Sequence, residues 1–157
     1  MTTPSQTIGP FFHLGLAPQS DLGSLTGERI RLVCRIRDGD GDGTPVNDAM
    51  IEIWQVDASG EYGGFGRQCT NEDGRCEFQA VKTGHVNVMI FARGLLKQLF
   101  TRIYFAGQSS NATDPILALV PEGRRETLMA QPDAEDPTAW NFEIRLCADS
   151  ETVFFDV

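Results

Sequence analysis

From Glu28 onward the chain alternates. Ile30, Leu32, Cys34 and Ile36 interleave with Arg31, Val33, Arg35 and Arg37, the period-two pattern of a strand with one buried face. Met50–Val56 predicts a second strand. Arg75–Val81, with Cys76, Phe78 and Ala80 on one side, predicts a third. Val86, Val88, Ile90 and Ala92 mark a fourth, and Leu99, Thr101, Ile103 and Phe105 a fifth, with Arg102 and Tyr104 opposite. Further strands are expected over 126–130, 141–147 and 152–157. The Asp/Gly stretch at 38–42 reads as a turn. Asp114 and Pro115 ahead of 116–120 predict one short helix, with Asp as its cap and Pro at its first position. Pro4, Gly9 and Pro10 keep residues 1–16 out of a helix and predict an extended arm. Its Phe11, Phe12, Leu14 and Leu16 need a surface to cover them. The expected fold is all-β: an antiparallel β-sandwich of about eight strands over 28–157, an N-terminal arm over 1–27 that docks on a partner subunit, and one short helix.

Length and composition narrow the class. A chain of 157 residues with 41% hydrophobic content fits one domain with its own core. No apolar run approaches the roughly 18 residues of a membrane span. The first seven residues carry neither the basic segment nor the apolar stretch of a signal peptide. Cys34, Cys69, Cys76 and Cys147 form no CxxC pair and no dense framework, so reduced thiols in a cytoplasmic protein are expected. The formal net charge of -9 disfavours nucleic acid as a partner. It also means that an anionic substrate would need local arginines.

The alternating Asp and Gly of 38–43 resemble half of a calcium loop. The twelfth position is Ala49 instead of a bidentate Glu, and the flanks are strands, so a turn is the better reading. No GxSxG elbow or phosphate-binding glycine loop is present. Arg93 continues the row of Asn87, Met89 and Phe91. A charge there is either a rim salt bridge or a carboxylate reader, for which the guanidinium fork is suited. Arg124 and Arg125 read as exposed charge or subunit contact.

The chain opens with Thr3-Pro4-Ser5-Gln6-Thr7-Ile8-Gly9-Pro10-Phe11-Phe12. It continues through Glu52-Ile53-Trp54-Gln55-Val56 to Tyr62, then His85-Val86-Asn87, Phe91-Ala92-Arg93-Gly94 and Thr101-Arg102-Ile103-Tyr104-Phe105. It closes with Glu151-Thr152-Val153-Phe154-Phe155-Asp156. Together these segments resemble the intradiol ring-cleavage dioxygenases, and within them the α-type chains of the two-subunit members that cleave protocatechuate. The resemblance implies β-sandwich subunits paired α with β, non-haem Fe(III) in the β subunit alone, and O₂ opening protocatechuate to 3-carboxy-cis,cis-muconate. It implies that the α chain walls the substrate pocket with residues matching Thr7, Gly9, Pro10 and Arg93, where Arg93 helps hold the anionic substrate.

Iron in this family is held by two tyrosines and two histidines. Tyr62, His85 and Asn87 resemble a remnant of that set, with Asn87 at the second histidine position. An amide oxygen is a poor substitute for imidazole on ferric iron. The segments between Tyr62 and Phe65 and between Lys82 and His85 are shorter than the family pattern. The expectation is therefore a subunit with no catalytic residue and no metal of its own, which shapes the pocket of an iron-bearing partner. A stand-alone β-sandwich binding or carrier module is the alternative, and a self-sufficient dioxygenase using Tyr62 and His85 is a third reading.

Overall fold

The long alternating runs become strands, and the non-alternating stretches decide how those strands are arranged. A computed structural model describes residues 3–4, 6–9, 11–16, 18–21, 25–39, 41–56 and 61–157. Ten strands form among them: β1 (Gln19–Asp21), β2 (Arg29–Asp38), β3 (Thr44–Pro45), β4 (Met50–Val56), β5 (Tyr62–Cys69), β6 (Arg75–Val81), β7 (Val86–Phe91), β8 (Leu99–Phe105), β9 (Met129–Pro132) and β10 (Ala139–Arg145). They follow the order β1-β5-β4-β7-β8-β9-β10-β2-β3, with β6 on the other side of β2. The sheet curls so that both halves close on one core. Ile30, Leu32, Cys34 and Ile36 of β2, Ile51 and Ile53 of β4, Val88 and Ile90 of β7, and Phe142 and Ile144 of β10 all belong to it. The buried Gln55 side chain ties the halves together, accepting from Val81 N at 3.1 Å and donating to Val81 O at 2.6 Å.

The antiparallel sandwich expected from the strand pattern is corrected to a curled, mixed sheet. β10 runs parallel to β2 over seven residue pairs, from Ala139↔Arg31 to Arg145↔Arg37, and β8 runs parallel to β9. A parallel pair needs a long crossover, and the 106–128 segment supplies it. That segment holds two 3-10 turns (Ser109–Thr113 and Glu122–Leu128) and the helix Pro115–Leu119. The helix has the expected cap: Asp114 Oδ1 accepts from Ile116 N and Leu117 N at 2.9 and 2.8 Å.

Three local expectations also change. The strand expected at 126–130 is helical until Leu128, and β9 begins at Met129. The strand expected at 152–157 keeps one isolated bridge, Phe155↔Phe100. Side chains hold this segment instead of a ladder: Thr152 Oγ1 accepts from Arg145 N, and Thr101 Oγ1 donates to Val153 O. The arm is not wholly extended. Phe12–Gly15 makes one helical turn, closed by Leu16 N donating to Phe12 O, and Gln19–Asp21 joins the sheet as β1 beside β5. Leu14, whose side chain was expected to need cover, lies outside the described side chains, whereas Phe11 is exposed. Where the sequence predicts a turn over 38–42, β2 and β3 pair with Asp38 opposite Thr44, and Asp40 lies outside the described residues. All four cysteines are free thiols. Among the described residues no helix is long and apolar enough to cross a membrane.

β5 escapes the period-two pattern because Gly63, Gly64 and Gly66 interrupt it. The glycines are there for space. A Cβ at Gly66 would sit 2.8 Å from Phe78 Cδ1 and 2.9 Å from Ile53 Cγ1, and one at Gly63 would sit 2.2 Å from Leu25 Cδ2. Gly66→Ala is therefore expected to destabilise the protein by about 1–3 kcal/mol through overpacking. Denaturant midpoints check this; an unchanged midpoint would show that the core yields freely at β5.

Candidate functional site

The face of β4, β5, β7 and β8 turned away from the core carries the candidate chemistry. Register sets its rows: Phe65 lies opposite Trp54, Trp54 opposite Asn87, and Asn87 opposite Arg102. Tyr62 pairs with Val56 after a bulge in the β4–β5 ladder. His85 precedes β7 by one residue and lies two before Asn87, hence on the same side. The fold thus gathers Tyr62, His85 and Asn87 onto one face.

The three do not converge on a common point. Tyr62 is 58% exposed, and its ring leans on Trp54 at a centroid distance of 6.0 Å. His85 turns toward the crossover, with its ring 5.8 Å from Tyr104 and Nδ1 3.7 Å from Asp114 Oδ2, beyond hydrogen-bond length. Asn87 Oδ1 is buried and accepts no hydrogen bond from the described residues, and the same holds for its cross-strand neighbour, Arg102 Nε, as a donor.

Asp114 organises this corner. Besides capping the helix, it accepts from the Tyr104 hydroxyl at 2.9 Å and lies 4.0 Å from Arg102 Nη1. Burial opposes its ionisation. The Leu117 and Ile116 N–H groups, the Tyr104 hydroxyl and His85 outweigh that, and its carboxyl titrates below the usual range. Burial, helped by Asp114, pushes the Tyr104 hydroxyl up to about 12, so it stays a phenol that donates. Burial and then the Arg102 charge lower the His85 pKa, with Asp114 opposing them.

These residues do not fit ferric iron. The site needs anionic oxygen donors and a second imidazole. It has one phenol, Tyr104, committed to a carboxylate, a second, Tyr62, exposed and leaning on Trp54, a single histidine, an amide and a guanidinium that itself brings positive charge. Among the described residues no group of three or more His, Cys, Asp or Glu side chains is placed to hold a metal ion.

A second set of expected residues lies at another edge. Thr7 Oγ1 accepts from Gly94 N at 2.8 Å, which ties the arm to the turn that follows β7. That turn closes by Leu95 N donating to Ala92 O, and Gly94 takes φ +93°, a conformation that disfavours side chains. Thr7, Gly9 and Arg93 are thereby placed on neighbouring segments, while Pro10 lies outside the described residues. Arg93 sits just past β7, not within it. Its Nε contacts Asp48 Oδ2 at 3.0 Å, while 64% of its side chain stays exposed. The rim ion pair considered from the sequence is present, and most of the guanidinium remains open.

Sequence reasoning missed Arg102, Asp114 and Asp48 as site residues. Alternation had already put Arg102 and Tyr104 on one face of β8. What was missing was the β7–β8 register that sets them beside Asn87 and His85.

No protein-family model matches the chain. Curated proteins do, and two of them match over almost their whole lengths. The "Protocatechuate 3,4-dioxygenase alpha chain" of Burkholderia cepacia is 40% identical, covering 99% of this chain and 97% of that protein. The protein of the same name from Pseudomonas putida is 37% identical, covering 98% and 96%. The chain belongs to the protocatechuate 3,4-dioxygenase alpha-chain family of intradiol ring-cleavage dioxygenases. The Burkholderia alignment runs over 193 positions against the 157 residues here, so the relative carries residues that this chain lacks. The "Protocatechuate 3,4-dioxygenase beta chain" of Burkholderia cepacia is 28% identical over 81% of this chain and 66% of its own length. Among solved structures, an intradiol ring-cleavage dioxygenase from Tetranychus urticae shares the fold, with a TM-score of 0.63 at 18% identity over 92% of this chain and 94% of that one.

The lowered pKa of His85 has a stability consequence. The unfolded chain takes up its proton near the reference value of 6.5, before the folded chain does. Stability carried by the neutral ring is complete above that pH and is lost as pH falls toward the folded value. An NMR titration of the His85 ring should therefore give a midpoint below 6.5. His85→Gln should flatten the acid side of the stability profile. A midpoint above 6.5 would mean that Asp114 dominates over Arg102 and burial.

Proposed function

We propose that this chain is an iron-free α subunit of a two-subunit dioxygenase that cleaves protocatechuate with O₂ to 3-carboxy-cis,cis-muconate, and that the Fe(III) and ring-opening chemistry belong to a homologous β subunit. The observation that carries this reading is the pairing of a would-be metal face short of donors with an arm and an exposed arginine held together by the Thr7–Gly94 hydrogen bond. The named relatives include both an alpha and a beta chain, which supports an αβ hetero-oligomer.

In this reading the chain contributes walls and charge. Thr7, Gly9 and Pro10 bring the arm's backbone to the partner's cavity, and Phe11, 73% exposed here, gains cover on the partner. Arg93 gives a chain of net charge -9 a local positive spot that attracts the substrate carboxylate. Discrimination then depends on the carboxylate, not on the catechol hydroxyls. The Tyr62, His85 and Asn87 face plays no part in the reaction.

Co-expression with a β-type chain tests the assignment. The two are expected to elute as one complex that turns over protocatechuate. Arg93→Ala in that complex should lower kcat/KM for the carboxylated catechol by about 10- to 100-fold, the worth of a charge-assisted contact. It should leave unsubstituted catechol and iron content little changed. A chain that stays monomeric and never captures the β-type chain would favour a stand-alone binding module.

A further inference from the structure

Arg93 reaches Asp48 through Nε, and that choice of atom matters. A guanidinium has one N–H on Nε and four on its two Nη atoms. A carboxylate seated on the Nη pair would use up the fork. Asp48 Oδ2 pairs with the Nε side at 3.0 Å as an ion pair, without an N–H···O hydrogen bond, and the Arg93 side chain remains 64% exposed.

Asp48 is itself held firmly. The bend of residues 46–49 is clamped by the buried Thr70, whose Oγ1 donates to Val46 O at 2.8 Å and accepts from Ala49 N at 3.0 Å. Thr70 N donates to Ala49 O at 2.9 Å, and Val46 N to Ile36 O at 3.1 Å. The Asp48 side chain is 22% exposed, against 64% for Arg93. A carboxylate on a braced bend thus pairs with an exposed cation on a turn whose other tether is Thr7.

We infer that Asp48 is a positioning residue for Arg93, anchoring its Nε so that the two Nη groups are presented, pre-oriented, to the carboxylate of an aromatic substrate. This rests on the role proposed above for Arg93 and adds a residue to it. Pre-orientation lowers the cost of ordering a long side chain when substrate arrives. The negative charge of Asp48 opposes substrate attraction, so the sign of its effect is informative. A positioning group helps binding, and a masking group hinders it.

The test uses the assembled αβ enzyme with protocatechuate and with unsubstituted catechol. Asp48→Ala is expected to raise KM for protocatechuate about three- to tenfold with kcat nearly unchanged and no rise for catechol. Asp48→Asn, which keeps an acceptor oxygen, should restore part of the loss. Adding Asp48→Ala to Arg93→Ala should change nothing further. In the isolated chain, NMR relaxation of the Arg93 guanidinium should show greater mobility after Asp48→Ala, a readout independent of the partner. A fall in KM would overturn the inference in favour of masking, and an equal rise for both substrates would reduce Asp48 to a structural role. If Arg93→Ala is selective but Asp48→Ala is silent, this inference alone fails. If Arg93→Ala affects neither substrate, the pocket role of Arg93 fails with it.

Discussion

The carboxylate of Asp114 draws the helix start, the Tyr104 hydroxyl, Arg102 and His85 into one corner of the outer sheet face. A half-buried charge of this kind persists when donors surround it, and here the hydrogen-bond donors come from the helix and from β8, with Arg102 and His85 nearby. The cap fixes where the crossover meets the sheet, and the crossover lets β9 re-enter parallel to β8, after which β10 turns back antiparallel to β9 and runs parallel to β2. One network therefore serves both the topology and the chemistry of the face it covers. The side chains it occupies are then unavailable as metal donors. Tyr104 stays protonated, His85 is kept neutral by burial and a neighbouring cation, and Arg102 supplies the positive charge beside the acid.

The other edge of the molecule has a different character. Arg93 is open to solvent, the arm is tied to its turn by one hydrogen bond, and Phe11 and Leu96 leave apolar surface uncovered. A folded chain with its own core does not need those side chains exposed for stability. They are understandable if another subunit meets them. In the proposed reading, division of labour between homologous chains rests on this local chemistry. One sheet face is closed by an internal ion network, and an edge carries a charge that another chain's cavity can use.

Much of the strand inventory was legible in the sequence. β4 and β6 match the expected ranges residue for residue, β6 through period-two alternation and β4 as a short run buried along most of both faces. β5 was hidden because its glycines make room for Leu25, Phe78 and Ile53 instead of adding to the hydrophobic pattern. Strand direction was not legible at all. Alternation is the same in parallel and antiparallel ladders, and the parallel partner of β2 lies about a hundred residues away. The site was legible in the same partial way. The i, i+2 spacing put His85 and Asn87 on one face, but cross-strand register decides that Arg102 and Tyr104 join them. Asp48 belongs to no pattern and was found only through its contact with Arg93.

Iron binding by the purified chain alone is the measurement closest to the central claim. After anaerobic loading with Fe(II), oxidation and removal of excess metal, the isolated chain should retain no stoichiometric iron and show no broad visible tyrosinate-to-iron band. One tightly held iron per chain with that band, in the absence of any partner, would contradict it.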